Sequence, residues 1–182
     1  APLRRLGRGV LEPRWRGPRA RLWVAGLSLW LAEEEPAVRR RTLRRLSVRG
    51  EVASRIQDFA KERDRRLRRL AKARGRGAVD ATLAGIDEEA LLALHASAEA
   101  KFRGRIERWA SQDRRQRSPV GGSDLEDLGL SGPAVGRALA RIRAAYLDGG
   151  VANREEGLAL GREIARRKSP VRPRQRAGKK SG

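Results

Sequence analysis

The sequence predicts an all-α protein, an irregular multi-helix bundle of about seven helices with disordered basic termini. Apolar residues recur at three- and four-residue steps over long stretches, which is the spacing of a buried helical face. No run alternates apolar and polar residues for long enough to indicate a strand. Prolines and glycines punctuate the chain at positions typical of helix starts and helix ends.

The first helix is expected to begin near Arg19 and to be central, because the segment Leu22–Leu31 has almost no polar face. Pro36 is well placed as the first residue of a second helix that continues through Leu46. In that helix we expect three residues to face the core, namely Val38, Leu43 and Leu46. We expect its arginines to lie elsewhere, namely Arg39, Arg40, Arg41, Arg44 and Arg45.

A long third helix is expected from near Gly50. Its apolar stripe consists of Val52, Ile56, Phe59, Ala60, Leu67, Leu70 and Ala71. Arg65, Arg69 and Lys72 are spaced i, i+4 and i+7, so they project together from one face of this helix. They are therefore candidates for contacts with phosphate groups.

The segment 74–77, with the sequence RGRG, is expected to break the third helix. One further helix is expected from Asp87, because acidic residues complement the dipole of a first helical turn. Its core face would carry Leu91, Leu92, Leu94, Phe102, Ile106 and Trp109. A basic linker follows at residues 111–123.

The C-terminal part of the chain predicts three more helices. A short helix from Asp124 would have Ser123 as its N-cap and Glu126 as the partner in a capping box. Gly129 suits the left-handed position that ends a helix. Two longer helices are expected over residues 133–147 and 153–167.

These elements suggest four segments along the chain. Residues 1–18 form a basic irregular lead-in, and residues 19–117 form a helical neck or body domain. Residues 118–168 form a C-terminal helical segment that contains a Gly-Pro hinge, LGLSGP at residues 128–133. Residues 169–182 form a basic tail without acidic residues, which we expect to be disordered.

The charge of the chain indicates a polyanionic partner. Lysine and arginine number 43 against 22 acidic residues, which gives a formal net charge of +21. A high GC content of the genome would favour arginine over lysine, but it would not explain the excess of basic over acidic residues. Nucleic acid is therefore the expected partner, bound through its phosphates.

Other classes of function are disfavoured by composition. The chain has no cysteine, which excludes disulfides, thiolate catalysis and cysteine–zinc sites. The apolar run Leu22–Ala32 is shorter than the roughly 20 residues that a membrane-spanning helix needs. We therefore expect a cytoplasmic protein without a membrane partner.

The Gly-Pro hinge admits two interpretations. Gly132 and Gly136 leave the backbone at the start of the next helix unshielded, and Arg137 and Arg141 add two guanidinium groups nearby. Exposed amides and guanidinium groups of this kind can hold a phosphate. Alternatively, the glycines only allow a tight helix–turn–helix to pack closely. The sequence leaves both interpretations open.

The segment GGSDLEDLGLSGPAVGRALARIRAAYLDGGVANREEGLAL, residues 121–160, resembles the C-terminal region of bacterial tRNA nucleotidyltransferases, the CCA-adding enzymes and their poly(A) polymerase relatives. The residues that carry this resemblance are Gly122, Asp124, Leu125, Leu128, Gly129, Gly132, Pro133, Leu139, Ala145, Leu147, Asp148, Gly149, Arg154, Glu155 and Glu156. The likeness is specific over residues 118–163, loose over residues 19–117 and absent from both ends. The hinge is one residue shorter than the usual hinge of the family.

The resemblance implies a tRNA-binding part of such an enzyme, as a fragment or as a separate subunit. In the family this region grips the acceptor–TΨC half of tRNA while a distant catalytic head matures the 3′ end. The implied RNA-contacting residues here are Arg65, Arg69, Lys72, Gly132, Gly136, Arg137 and Arg141. A catalytic head domain or subunit is then a second expected partner.

The chemistry of nucleotidyl transfer is missing from this chain. That reaction needs a Gly-Ser loop and paired aspartates that hold Mg²⁺ and the nucleoside triphosphate, and the sequence has no Asp-x-Asp. Asp124 and Glu126 are interpreted as capping residues. His95, the single histidine, is interpreted as a partly buried structural residue. We therefore expect no catalytic residues, no metal ligands and no cofactor in this chain, and Mg²⁺ and the triphosphate would belong to the missing head.

Two other functions remain open at this stage. A structural RNA-binding protein, such as a ribosome-associated factor, would also carry extended basic ends. A helical interaction module would use the apolar helix Leu22–Leu31 to dock on a partner subunit that carries the catalytic domain. The second of these is compatible with a role in tRNA binding.

Overall fold

A computed structural model describes residues 20–168, and in that range it has nine α-helices, one short 3-10 helix and no strand. This confirms the all-α prediction, with more helices than the seven expected. The basic lead-in and the basic tail, for which we expect disorder, lie outside the described residues. The described residues divide into two compact units, with the boundary between Arg117 and Ser118.

The first unit contains six of the described α-helices. They are α1 (Leu22–Leu31), α2 (Pro36–Arg45), α3 (Gly50–Lys72), α4 (Arg76–Leu83), α5 (Glu88–Ser97) and α6 (Ala100–Ser111), with the 3-10 helix at Asp113–Arg115. The second unit contains α7 (Gly122–Glu126), α8 (Pro133–Leu147) and α9 (Arg154–Lys168).

The core of the first unit forms around α1 and α5. α1 packs against α3 and α5, and its Val24, Ala25 and Leu29 are almost completely buried. α5 contributes a run of buried residues, Leu91–Ala96. The prediction that the apolar first helix is central is therefore confirmed.

The expected single helix over residues 87–109 is wrong, because the chain breaks into α5 and α6. Ala98 and Glu99 have extended backbone angles between the two helices. Ala98 is itself buried, and its N–H donates to the carbonyl of Leu94, which closes the last turn of α5. The periodicity continues across the break because both helices turn their apolar residues to the same core.

Helix α4 was not expected, because its segment follows the RGRG break and carries few apolar residues. Gly75 takes a positive φ of 83° and redirects the chain into α4, where Val79 and Leu83 reach the core. The indole Nε1 of Trp109 donates to the carboxylate of the buried Asp80 at 2.8 Å, which links α6 to α4.

Two side chains of α2 lie opposite to expectation. Arg39 is only 7% exposed, and its guanidinium donates to the carbonyl oxygens of Leu31 at 2.9 Å and Glu34 at 2.8 Å. Leu31 is the last residue of α1, and Glu34 lies in the turn that follows, where its N–H also donates to the Leu31 carbonyl. Leu46, expected in the core, is instead 52% exposed. The expected outward position of Arg39 is therefore wrong, because this arginine caps α1.

His95 is structural, as expected, and it is completely buried rather than partly buried. Its Nε2 lies 2.7 Å from the carboxylate of Glu107, which joins α5 to α6.

Glu89, at the start of α5, is a buried carboxylate held by arginine. Its Oε1 accepts from the Nε of Arg21 at 2.8 Å, and Arg55 lies 3.8 Å from its second oxygen. Burial pushes the pKa of Glu89 upward, but the hydrogen bonds from Arg21 and from backbone N–H groups outweigh burial, so the net pKa is lowered.

The lowered pKa of Glu89 predicts a loss of stability in acid. Stability from this carboxylate is present above the unfolded pKa of about 4.3 and is lost as the pH falls through the lower folded pKa. Glu89→Gln should cost the first unit about 2 kcal/mol at neutral pH, since a hydrogen bond to a charged group contributes about 1.5–3 kcal/mol. Urea unfolding at several pH values checks this. The exposed Glu99→Gln is the matched control, and an equal loss in both variants would contradict the assignment.

The second unit is organised by glycines at its helix ends. Gly129 has a positive φ of 81°, and its N–H donates to the carbonyl of Glu126, while the N–H of Leu130 donates to that of Leu125. This pair of bonds is a Schellman motif, so the prediction that Gly129 ends the helix is confirmed. Leu125 and Leu130 both lie in the core of the unit.

The start of α7 differs from the prediction. Its N-cap is Gly121 rather than Ser123, and the carboxylate of Asp124 accepts from the Gly121 N–H at 2.8 Å. That bond and then the Arg154 guanidinium, 2.5 Å away, lower the pKa of Asp124. Asp124 therefore has the capping role expected of it, but it caps from within the helix. Its pair with Arg154 joins α7 to α9.

Helix α9 approaches its neighbours through two glycines. A Cβ atom on Gly157 would lie 2.5 Å from Cγ2 of Val120, and one on Gly161 would lie 2.9 Å from Cδ2 of Leu125. Side chains at these positions, which are spaced i and i+4, would separate α9 from the core.

Candidate nucleic-acid interface

The predicted stripe on α3 is exposed as expected. Arg65 points outward and pairs with Glu62 at 2.7 Å, one turn away on the same helix. The guanidinium of Arg69 lies 3.4 Å from the Ala81 carbonyl, and Lys72 is exposed in the last turn of α3. An exposed pair such as Arg65–Glu62 contributes little, so its arginine can exchange the carboxylate for a phosphate at small cost.

The predicted residues of α8 lie along its first three turns. Arg137 and Arg141 are exposed, and neither has an ion-pair partner among residues 20–168. Gly136 is exposed, with nothing within 4 Å of the place that a Cβ would take. The two guanidinium groups therefore lie one turn apart on an open face of the helix.

The backbone of the Gly-Pro hinge is already engaged inside the chain. Gly132 adopts a positive φ of 53° as the N-cap of α8. Pro133 has no N–H, and the N–H groups of Ala134 and Val135 donate to the carbonyls of Ser131 and Gly132 at 3.2 and 3.1 Å. A phosphate near the hinge would therefore depend on Arg137 and Arg141 rather than on these two amides.

Helix α2 carries a further basic surface that is not among the RNA-contacting residues predicted from the sequence. Arg40, Arg41, Arg44 and Arg45 are exposed, and within the described part of the chain none has a carboxylate partner. The available signal was the density of charge, because residues 39–45 contain five arginines and no acid. One of the five, Arg39, is the exception that turns inward.

An apolar groove lies between α1 and the turn that joins α2 to α3. It has a volume of about 710 Å³, and its wall includes Trp23, Leu27, Trp30, Leu46 and Arg49. Trp23 is 54% exposed and Trp30 is 48% exposed, although both are large apolar side chains. Grouped apolar exposure of this kind is typical of an interaction surface.

No group of acidic or histidine side chains within residues 20–168 has the arrangement of a metal site. In the same range, no helix is long and apolar enough to cross a membrane. Comparisons with protein-family models, with curated proteins and with solved structures gave no match to this chain.

Proposed function

We propose that this chain binds tRNA and is the non-catalytic C-terminal part of a tRNA nucleotidyltransferase. The observation that carries the proposal is that exposed arginines without an ion-pair partner within residues 20–168 gather on single helices of each unit. In the first unit they lie on α2, at Arg40, Arg41, Arg44 and Arg45, and in the second unit they lie on α8, at Arg137 and Arg141. Arginine without a carboxylate is free to donate both arms of its guanidinium group to a phosphate.

Recognition would be by backbone and shape. Aromatic residues make up 4% of the chain, which leaves few side chains on which bases could stack, whereas guanidinium groups are abundant. Phosphate contacts fix the position of a nucleic acid without reading its sequence. Within each unit considered by itself, the candidate contacts with the phosphates of the acceptor–TΨC half of tRNA are the exposed basic side chains of α3 and those of α8.

The resemblance of residues 118–163 to the nucleotidyltransferases supports tRNA as the particular RNA. The catalytic head would supply Mg²⁺, the nucleoside triphosphate and the paired aspartates. The apolar groove beside α1 is then a candidate surface for that head. A ribosome-associated structural role is the alternative, because extended basic ends would suit it equally well.

The first test compares three RNAs across a series of salt concentrations: whole tRNA, an acceptor–TΨC minihelix and an unrelated duplex of equal charge. We expect tRNA and the minihelix to bind alike and to retain binding at salt concentrations that release the duplex. If all three weaken together with the same slope, the chain senses only phosphate density, and the alternative function would be favoured.

A charge reversal on α8 tests the predicted surface directly. Arg137→Glu should weaken tRNA binding about tenfold and reduce the salt slope by about one, as expected for a lost phosphate contact. Arg162→Glu is the matched control, since it makes the same change of charge at an exposed, unpaired position of the same unit. Equal losses in the two variants would show that net charge, rather than this surface, determines affinity.

A further inference from the structure

A second basic feature of the first unit is concave. A cavity of about 310 Å³ lies where the end of α3, the start of α4 and the face of α6 meet. Its charged lining residues are Arg74, Arg76, Arg105, Arg108 and Asp113. Four guanidinium groups therefore surround one carboxylate, an excess of three positive charges. We call this cavity the arginine pocket.

Two of these arginines are held in place by the fold. Arg76 donates to the buried carboxylate of Asp113 at 2.6 Å, and Arg105 donates to the carbonyls of Leu70 at 3.1 Å and Ala73 at 3.0 Å. Folding already fixes the orientation of these two side chains, so ligand binding costs little further side-chain entropy at them. They give the pocket fixed positive walls.

The other two arginines, Arg74 and Arg108, have guanidinium N–H groups available to a ligand. Arg74 is exposed, and within residues 20–168 it has no ion-pair partner. The side chain of Arg108 is 55% exposed, and its Nε lies 3.9 Å from Asp113, too far for a hydrogen bond. Asp113 is already bound by Arg76, so it neutralises Arg108 poorly. The guanidinium groups that line this one pocket repel one another, and an anion bound in the pocket would reduce that repulsion.

We propose that the arginine pocket binds one phosphate of an RNA backbone, gripped by Arg74 and Arg108 against the fixed Arg76 and Arg105. This inference rests on the proposed function for the identity of the anion as RNA. The planar guanidinium group matches the oxygens of a phosphate in geometry as well as in charge. The pocket begins at Ala73, directly after Lys72, so it extends the exposed stripe of α3 and would anchor the strand that follows it.

The test replaces the two available arginines and spares the two structural ones. Arg74→Gln/Arg108→Gln should reduce the salt slope of tRNA binding by about one and weaken binding about tenfold at low salt. The matched control is Arg103→Gln/Arg115→Gln, which also removes two positive charges, because both arginines lie outside the pocket and neither has an ion-pair partner among the described residues. It should leave slope and affinity nearly unchanged. Equal effects in both proteins would overturn the proposal.

Inorganic phosphate distinguishes the possible sources of the anion. At constant ionic strength, replacing chloride by phosphate should weaken tRNA binding to the wild type but have less effect on the Arg74→Gln/Arg108→Gln variant. If the wild type binds tRNA and the Arg74→Gln/Arg108→Gln variant binds it with the same salt slope, the pocket proposal fails and the proposed function stands. A further outcome is that the wild type binds no RNA and yet is thermally stabilised by phosphate through these arginines. In that case the proposed function fails, and the pocket is a site for a free anion rather than for RNA.

Discussion

Arg39→Ala is expected to destabilise the first unit by roughly 3 kcal/mol, because a hydrogen bond from a charged donor contributes about 1.5–3 kcal/mol and two are lost. Arg39 is buried and donates to the carbonyls of Leu31 and Glu34 at the end of α1. Alanine would remove the side-chain donor from the Glu34 carbonyl and one of the two donors of the Leu31 carbonyl, which also accepts from the Glu34 N–H. Hydrogen exchange of α1 amides measures the effect locally.

The neighbouring Arg40 provides the matched control for Arg39. It belongs to the same helix and is exposed, and among residues 20–168 it has no ion-pair partner. Arg40→Ala should change stability by no more than about 0.5 kcal/mol, as is usual for a surface substitution. The proposed function predicts the opposite order for RNA affinity, in which Arg40→Ala weakens binding while the fold is retained. Equal destabilisation by the two substitutions would contradict the capping role of Arg39.

Gly157→Ala is expected to destabilise the second unit by about 3 kcal/mol, near the upper end of the cost of overpacking. The added Cβ would lie 2.5 Å from Cγ2 of Val120, a buried side chain with little room to move. α9 would have to shift away from α7 and α8, which would weaken its contact with Ile142 as well. Amides of α8 and α9 should exchange faster in this variant, while those of α3 and α5 should keep their protection.

Gly136→Ala is the control for Gly157→Ala within the same unit. Gly136 lies inside α8 with open space around it, so alanine should stabilise the helix by about 0.5–1 kcal/mol through its lower conformational entropy when unfolded. Destabilisation by both substitutions would show that the helices of this unit do not tolerate an added methyl group in general, so the effect at Gly157 could not be assigned to the contact with Val120. The RNA affinity of the same variant also reveals whether bare backbone at Gly136 contributes to binding.

Local chemistry accounts for the parts of the fold that the sequence predicted well. Gly129 ends α7 because a left-handed residue is needed at that point whatever the surroundings are, and Pro133 begins α8 for an equally local reason. The apolar stripe of α3 was likewise readable from spacing alone. In each case the deciding interactions lie within a few residues of one another.

The missed features depend on partners that are distant in the chain. Nothing within the run 39–41 distinguishes Arg39 from its neighbours, since the choice is made by carbonyls at the end of another helix. The break at Ala98 was hidden because the residues on both sides face one core. The signals from Gly129 and Pro133 in the second unit were visible, but the close approach of Gly157 to Val120 joins residues that are 37 positions apart.

The candidate site likewise has one part that local sequence predicts and one part that it does not. Exposure of Arg65, Arg69 and Lys72 on one face follows from helical spacing, and the structure agrees. The arginine pocket could not be predicted, because Arg105 and Arg108 reach it from a helix about 30 residues further along the chain. The hydrogen bonds from Arg105 to the carbonyls of Leu70 and Ala73, and that from Arg76 to Asp113, join the two segments.

The apolar groove beside α1 gives the first unit an optical property. Among residues 20–168, Trp23 and Trp30 are open to water while Trp109 is buried. In a Trp15→Phe variant, which removes the one tryptophan outside the described residues, a dissolved quencher would dim the two indoles of the groove and leave Trp109 bright. Whatever covers the groove would shield those two indoles and restore their emission, so the variant would report occupancy of the groove without any attached label.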